Sequence, residues 1–392
     1  MLKKINRHDL FFIAYIIFLF GVLINSTKYN FVPIALKISH IIQLIGCFIA
    51  IIKIILDVYE IYLKRELARI DYKYLLFFIL SVISVIVSRS KTIAYFDIFV
   101  LASKDVNFKR LLKVTLYVLI GTTIYTLISC LCGLIVDILV YRGDNVRHSF
   151  GWTSPNQLMI VIFEMISIYL YLRKDKLKWY DFLISIALLG VGYYFTGSRM
   201  CLLATLLLLI LFALVKYTNI HKLFNKIKWL FYSVPVLLSI FILGLTIAYK
   251  HYDLKKVDDY LTGRLLYGSM AIEEYGIKPF GDNIIFTGQR AEGELEELEY
   301  NYVDSSYLKI LINYGPFMLI AILIFLILLT RYSFNKKDYY LLSIILVIEL
   351  YCFMDSFLFC IELNPYLLLL CNIIYPLKRK KSKIEIREIK SH

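Results

Sequence analysis

The sequence places no cysteine in a predicted loop. All seven cysteines lie inside apolar runs, so an extracellular disulfide framework is not expected. Cys130 and Cys132 form a CxC pair, but no second pair of metal ligands lies near them in the chain. We interpret the cysteines as small buried apolar side chains, and we expect neither a metal nor another cofactor.

Two further features are missing. No small-x-small cleavage site follows the first apolar run, Leu10 to Ile24, because the chain continues INSTKYNF. We therefore expect a retained first span rather than a signal peptide. No internal repeat is visible either, and many transporter folds are built from repeats. This absence disfavours a transporter.

Apolar residues, by contrast, are in large excess. They make up 60% of the 392 residues, and the mean hydropathy is +0.70, whereas soluble domains contain roughly 45–50% apolar residues. The excess is collected into long runs such as MCLLATLLLLILFALV, at 200–215. Runs of this length are typical of bilayer spans. The sequence therefore predicts an all-α polytopic integral membrane protein, with residues 1–392 as one transmembrane domain.

Hydropathy predicts about 12 spans. They run over 10–25, 31–56, 74–88, 92–102, 111–136, 155–172, 181–196, 200–216, 229–249, 305–330, 339–360 and 363–377. With the N-terminus inside, most of the 44 basic residues fall in cytoplasmic segments, as the positive-inside rule requires. Both termini are therefore predicted to be cytoplasmic. The net charge of +14 then reflects topology, and a nucleic-acid partner is not expected.

One long polar loop, residues 250–304, is predicted outside the membrane between spans 9 and 10. It carries 6 basic and 12 acidic residues. Its first half has apolar residues at helical spacing, with Asp258 or Asp259 as a candidate cap and Gly276 and Pro279 ending the helix. We expect an amphipathic helix on the outer membrane surface. The second half contains the acidic run EGELEELE, for which we expect a solvated face.

Three arginines lie on the side of the membrane that should be poor in them. Arg147, Arg199 and Arg264 belong to the polar, glycine-bearing stretches VRHSFGWTSPN, TGSRM and TGRLLYG. One such arginine could simply contact lipid phosphates. Three together favour a functional site, because the guanidinium fork grips phosphate oxygens bidentately. The matching ligand is a lipid-linked pyrophosphate at the outer leaflet.

Several other polar residues have two readings. Glu164, Glu349 and Asp355 lie within predicted spans, and we expect them to pair with Lys37, Lys53 or one another and so hold the bundle together. Asp304 could cap the following helix with Ser305 or Ser306, act as a base, or do both. His148 could be a base or an interfacial side chain. Trp152 suits the membrane interface, and Pro155 suits the first turn of a helix.

Four motifs in order resemble the bacterial O-antigen and capsular polysaccharide polymerases of the Wzy type. They are RHSFGWTSPN before a span, TGSRMCLL opening a later span, TGRLLYGSMAIEEYGIKPFG in the outer loop, and VDSSYLKILINYG opening the next span. Together they cover about residues 145–315. One departure stands out, because many members have His directly before the Pro-Asn step, where this chain has Ser154.

The resemblance implies a membrane-embedded, metal-independent glycosyltransferase in the bacterial cytoplasmic membrane. It would join oligosaccharide repeat units carried on undecaprenyl pyrophosphate, with a chain-length regulator and a flippase as candidate partners. Two groups of residues would form the site. The catalytic group is Arg147, His148, Arg199, Arg264 and Asp304, and the substrate-binding group is Pro155, Asn156, Gly197, Ser198 and Tyr307.

Two other functions stay open at this point. An O-antigen-type ligase would share the donor chemistry, although ligases usually carry a His-Asn-type motif near the end of the loop, where this chain has VDSSYL. An oligosaccharide-lipid flippase or another transporter would have charged residues along its spans and no need of the long loop.

Overall fold

The computed structural model describes residues 7–63, 72–142, 145–284, 286 and 302–374, with the backbone alone at 72–77. Helices dominate these residues. They are α1 (Arg7–Asn25), α2 (Pro33–Leu63), α3 (Tyr72–Ser88), α4 (Lys91–Ala102), α5 (Phe108–Leu131), α6 (Pro155–Arg173), α7 (Trp179–Thr196), α8 (Arg199–Tyr217), α9 (Ile220–Lys226), α10 (Lys228–Ala248), α11 (Lys255–Leu261), α12 (Arg264–Tyr275), α13 (Ser306–Asn335), α14 (Tyr339–Tyr351) and α15 (Leu370–Ile374). The strands β1 (Leu139–Arg142) and β2 (Asn145–His148) form an antiparallel hairpin between α5 and α6.

Within the described residues, seven helices are long and apolar enough to cross a membrane: α1, α2, α5, α6 with the turn after it, α8, α10 and α13. Their outer faces carry large exposed apolar side chains, such as Ile34, Phe48 and Ile55 on α2. Such faces suit a bilayer and not water. The chain is therefore a helical membrane protein. The count of 12 spans and the orientation of the termini remain predictions.

Helices α6 and α13 form the centre of the bundle. In the most apolar window of each, 78% and 61% of the residues are buried, against 28–44% for the other five long helices. Helix α6 packs against α5, α7 and α8, and α13 packs against α3, α10 and α14. Pro155 opens α6, and the Ser154 hydroxyl caps it by accepting from the Gln157 N–H. Trp152, expected at the interface, is instead fully buried in the core.

The first half of the outer loop differs from the single surface helix that the sequence predicts. Thr262 and Gly263 both have positive φ, and they break the segment into α11 and α12. Asp258 does act as a cap, but for α12, because its carboxylate accepts from the Leu265 and Leu266 N–H groups. Helix α12 packs against α10 and α13 and does not lie apart from the bundle. The acidic run at 292–299 lies outside the described residues.

The predicted span 339–360 is not one continuous helix. Helix α14 ends at Tyr351, and the chain then runs without regular helix to a 3-10 turn at Pro365–Leu369. Ser306 at the start of α13 holds this segment. Its N–H and its hydroxyl both donate to the Asp355 carbonyl, and the hydroxyl also accepts from the Leu358 N–H. The interruption brings Asp355 and Ser356 beside the outer loop.

Two glycines in separate motifs each lie against the backbone of the other motif. Gly281, in KPFG, and Gly315, in NYG, both have positive φ, at +83° and +84°. A Cβ atom on Gly281 would lie 2.0 Å from the Asn313 carbonyl oxygen, and one on Gly315 would lie 2.2 Å from the Pro279 carbonyl oxygen. Gly315 also kinks α13 just before Pro316. The outer loop is therefore seated on the kink through contacts that only glycine allows.

We predict that Gly281→Ala and Gly315→Ala each destabilise the protein by more than about 1–3 kcal/mol, the usual cost of a strained backbone, because a steric clash adds to that strain. Thermal unfolding in detergent should show a clearly lowered Tm. The matched control is Gly244→Ala in α10, where an added Cβ meets no atom within 4 Å and Ala favours the helix. Equal Tm values for Gly281→Ala and Gly244→Ala would show that the loop is not seated in this way.

Candidate functional site

Four arginines meet in one pocket between the hairpin, the α7–α8 turn and the outer loop. The pocket contains about 520 Å³ of empty space, part of it open to solvent. Its walls are Arg142, Arg147, Asn156, Ser198, Arg199, Met200, Cys201, Tyr260, Leu261, Thr262, Arg264, Tyr351, Met354 and Asp355. The structure therefore brings together Arg147, Arg199 and Arg264, which the sequence places in three separate segments.

The hairpin explains which of its side chains reach the pocket. Its register pairs Val140 with Arg147, and Arg142 with Asn145. Paired residues share a face of a sheet, and so do residues two apart along a strand. Arg142 and Arg147 therefore project to the same side, and both line the pocket. Arg142 is the functional candidate that sequence reasoning missed, and hairpin register is the signal that could have found it.

Arg147 is the most firmly held of the four arginines. Its Nε donates to the Thr196 carbonyl at 2.5 Å, and its Nη2 donates to Asn156 Oδ1 at 2.7 Å and to Ser198 Oγ at 3.2 Å. The Ser198 hydroxyl donates in turn to Asn156 Oδ1. Burial, followed by the positive charges of the other three arginines, lowers the pKa of Arg147 to about 10. The guanidinium stays charged at neutral pH.

The turn between α7 and α8 allows the Arg147 side chain to pack closely against it. Gly197 ends α7 in the left-handed conformation, with φ at +58°, and α8 begins at Arg199. A Cβ atom on Gly197 would lie 3.3 Å from Arg147 Cγ. The glycine therefore permits both the tight turn and the close approach of the Arg147 side chain.

Arg199 and Arg142 are differently placed. Across residues 7–63, 72–142, 145–284, 286 and 302–374, neither guanidinium forms a hydrogen bond or an ion pair, yet both line the pocket. Burial, followed by the charges of Arg199 and Arg264, lowers the pKa of Arg142 below its usual value. Two unpaired guanidinium groups facing one cavity are suited to an incoming anion.

Arg264 links the pocket to the outer loop. Its Nε donates to the Met354 carbonyl at 2.8 Å, and its Nη1 donates to the Leu261 carbonyl and to Thr262. Asp304 Oδ2 lies 3.4 Å from the same Nε. Burial raises the pKa of Asp304, and Arg264 opposes that shift. Asp304 therefore lies behind Arg264 and is not a wall of the pocket.

Among the residues that the structure describes, Asp355 is the one acidic side chain in the pocket wall. The sequence places it inside a span, as a charge that holds the bundle together. In the structure it follows the end of α14, and Ser306 fixes its backbone. With four arginines and one aspartate, the wall carries a clear excess of positive charge.

His148 lies away from the pocket. Because it neighbours Arg147 in a strand, it projects from the opposite face of the hairpin. Its Nδ1 is 2.6 Å from Asp137 Oδ2, and its ring stacks on Phe150. The other Asp137 oxygen accepts from the Ser149 and Phe150 N–H groups. Asp137 and His148 thus stabilise the loop before α6.

The remaining predicted site residues divide into two groups. Asn156 and Ser198 line the pocket and bind Arg147. Pro155 begins α6 beside Asn156 and is buried. Tyr307 is only 1% exposed, and its hydroxyl donates to the Glu349 carbonyl. Tyr307 is thus a core residue between α13 and α14 and does not face the pocket.

The pairing predicted for the buried carboxylates is not found. Lys53 pairs with Asp57, one turn later on α2. Glu164 accepts from the Ser167 hydroxyl, and one oxygen each of Glu164 and Glu349 is buried without a partner among the described residues. In the same part of the chain, no group of three or more His, Cys, Asp or Glu side chains is placed to hold a metal ion.

No family model, no curated protein and no solved structure matches this chain.

We predict that inorganic pyrophosphate binds the purified protein in detergent and raises its Tm, because it can occupy the unpaired guanidinium groups. Saturation at 100 times Kd stabilises a protein by about 2.7 kcal/mol. Arg142→Gln and Arg199→Gln should each weaken binding roughly tenfold to a hundredfold, since each removes a charge-assisted hydrogen bond worth about 1.5–3 kcal/mol. Titration calorimetry measures the change.

The control for this titration is Arg331→Gln, at an exposed position on α13, with chloride added to equal ionic strength. Pyrophosphate binding that is the same in all three variants would show that the four-arginine pocket is not an anion site.

Proposed function

We propose that the protein is a polysaccharide polymerase, a glycosyltransferase that joins oligosaccharide units carried on undecaprenyl pyrophosphate at the outer face of the bacterial cytoplasmic membrane. The convergence of Arg147, Arg199 and Arg264 with Arg142 in one pocket carries the proposal. The ordered motifs that resemble the Wzy-type polymerases support it. A pyrophosphate diester is a polyanion, and four guanidinium groups match it in charge and geometry.

The proposed reaction is a single displacement at the anomeric carbon. A hydroxyl oxygen of the acceptor unit forms a bond to that carbon, and the bond from the carbon to the phosphate oxygen breaks. Its electron pair leaves with the lipid pyrophosphate, which gains negative charge. Arginines placed around the leaving group stabilise this developing charge more than the charge of the ground state, which is the requirement for catalysis.

The contacts suggest a division of labour among the arginines. Arg147 already has three hydrogen bonds and is buried, so in this proposal it fixes the shape and potential of the pocket. Arg199 and Arg142 have no partner among the described residues, and in this proposal their guanidinium groups bind the phosphates. Arg264 is held by Met354, Leu261 and Thr262, so it orients the outer loop and adds charge.

The proton of the attacking hydroxyl goes to Asp355 in this scheme. Asp355 lines the pocket, whereas Asp304 lies behind Arg264 and His148 faces away. Its backbone is fixed through Ser306, and its side chain accepts from the Ser356 N–H at 3.0 Å. A carboxylate so held can accept a proton at a defined position.

A second candidate function is transport of a lipid-linked oligosaccharide. The observation in its favour is the burial of Glu164 and Glu349 inside the helices, each with one carboxylate oxygen unpaired among the described residues. Acidic residues within spans often mark a translocation path. The two functions separate on glycan gels, because loss of a polymerase leaves single units at the surface, whereas loss of a flippase leaves them inside. A ligase mutant would leave polymer on its lipid carrier.

We predict that Arg199→Lys lowers polymer formation about tenfold to a hundredfold. Lysine keeps the charge but loses the fork, and one lost charge-assisted hydrogen bond costs about 1.5–3 kcal/mol. Glycan gels from cells that carry the variant as their sole copy should shift from long chains to single units. Arg331→Lys, compared at equal membrane level, is the control. Full-length polymer from Arg199→Lys would rule out bidentate binding by this residue.

A second prediction distinguishes Asp355 from His148 as the base. Asp355→Asn keeps the acceptor oxygen for the Ser356 N–H but removes the base, so the polymerisation rate should fall at least about 10²-fold. Asp355→Glu should recover part of it. His148→Gln should leave chain length unchanged, because His148 faces Asp137. The proposal would be wrong if Asp355→Asn kept full activity while His148→Gln was inactive but normally stable. His148 would then be the base.

A further inference from the structure

A second cavity lies on the other side of the Asp355–Ser356 peptide from the arginine pocket. It contains about 380 Å³ of empty space, part of it open to solvent. Asp355 faces the arginine pocket, whereas Ser356 lines the second cavity. The residues that line it include Thr92, Lys309, Tyr314, Ser356 and Phe359. We call this space the Lys309 cavity.

Lys309 is the charged group of this cavity. Its ammonium donates to the Tyr302 hydroxyl at 3.2 Å and to the Ser356 hydroxyl at 3.3 Å. It also lies 4.5 Å from the centre of the Tyr302 ring. Among the residues that the structure describes, no carboxylate comes within ion-pair distance of it. The Phe286 ring lies near the ammonium as well, at 5.6 Å. Asp304 and Asp355 act on Lys309 only from beyond ion-pair distance, so a ligand carboxylate can still form the direct ion pair.

The other residues that line the cavity indicate which kind of ligand would carry that negative charge. Tyr314 and Phe359 present aromatic rings, 5.9 Å apart and steeply inclined to each other. Thr92 and Ser356 present hydroxyls. Aromatic rings with hydroxyls bind the apolar faces and the polar edges of a sugar. One ammonium matches one carboxylate, whereas the four arginines of the other pocket match a polyanion.

We propose that the Lys309 cavity is a glycan subsite that binds a sugar bearing a carboxylate, such as a hexuronate, through Lys309. That the sugar belongs to a repeat unit rests on the proposed function. The presence of a carboxylate subsite does not, because it follows from the cavity alone. Since one peptide separates the two cavities, a glycan bound here lies next to the arginine pocket.

The test uses full-length protein in detergent micelles and methyl β-D-glucuronide as the probe. Saturation-transfer difference NMR reports direct contact between the probe and the protein. We expect signals from the glucuronide and at least tenfold weaker signals from methyl β-D-glucoside, which lacks the carboxylate. Lys309→Met should abolish the glucuronide signals, and Lys309→Arg should retain them. Gel filtration and Tm show whether each variant is folded.

Ser356→Ala provides a second variant, which removes one hydroxyl partner of Lys309 and should weaken the signals. Arg142→Gln, in the other pocket, should leave them intact. Equal signals from both glycosides, or glucuronide signals unchanged in a folded Lys309→Met, would overturn the proposal. Displacement of the glucuronide by inorganic phosphate at a lower concentration than by free glucuronate would make this a phosphate site and would overturn the assignment to a carboxylate.

These outcomes are independent of polymerase activity. If Arg199→Lys formed polymer normally and glucuronide binding still depended on Lys309, the proposed function would be refuted and the carboxylate subsite would be confirmed. The reverse result would refute only the subsite.

Discussion

The buried guanidinium of Arg147 joins the parts from which the candidate site is made. It extends from the hairpin, donates to the carbonyl that ends α7, and binds the side chains that open α6 and α8. A buried charge must have its hydrogen-bonding groups satisfied or the fold is strongly destabilised. The three elements can therefore meet only in the arrangement that supplies Thr196, Asn156 and Ser198 together. The positions of Arg142 and Arg199 depend on that arrangement.

This arrangement leaves an electrostatic imbalance. Four arginines and one aspartate line a single cavity, and the lowered pKa values of Arg142 and Arg147 show that their charged forms are disfavoured there. The groups that accept hydrogen bonds from Arg147 are all uncharged, so they do not neutralise its positive charge. An anion that enters the cavity neutralises this charge and weakens the repulsion among the four arginines. A site of this kind is preorganised for negative charge, because the unfavourable interactions exist before the ligand binds.

Much of the helical framework follows from hydropathy, since a run such as 200–215 has few alternatives to a span. Arg147, Arg199 and Arg264 could also be identified from the sequence, because the predicted topology places them on the side of the membrane where the positive-inside rule expects few basic residues. Arg142 could not be identified in this way, because its position depends on the register of the hairpin. A strand of four residues is too short for its alternating pattern to be recognised in the sequence. The prediction that His148 belongs to the site was wrong for the same reason. Neighbouring residues of a strand project to opposite faces, so His148 points away from the pocket that Arg147 lines. The contacts of Gly281 with Asn313 and of Gly315 with Pro279 join residues far apart in the chain, and the composition of the sequence does not predict them.

The interrupted helix after α14 shows why the two cavities are adjacent. In a helix, residues 355 and 356 would point about 100° apart around a single axis. In the irregular segment, Asp355 faces the arginines while Ser356 faces Lys309. Non-helical backbone at membrane depth is stable only where protein groups satisfy it or it lines a cavity. Here Ser306 binds the Asp355 carbonyl, and Asn364 donates to the Leu358 carbonyl. The broken helix therefore stays ordered because neighbouring polar groups replace the missing helical bonds, and the break itself separates two differently charged cavities by one peptide.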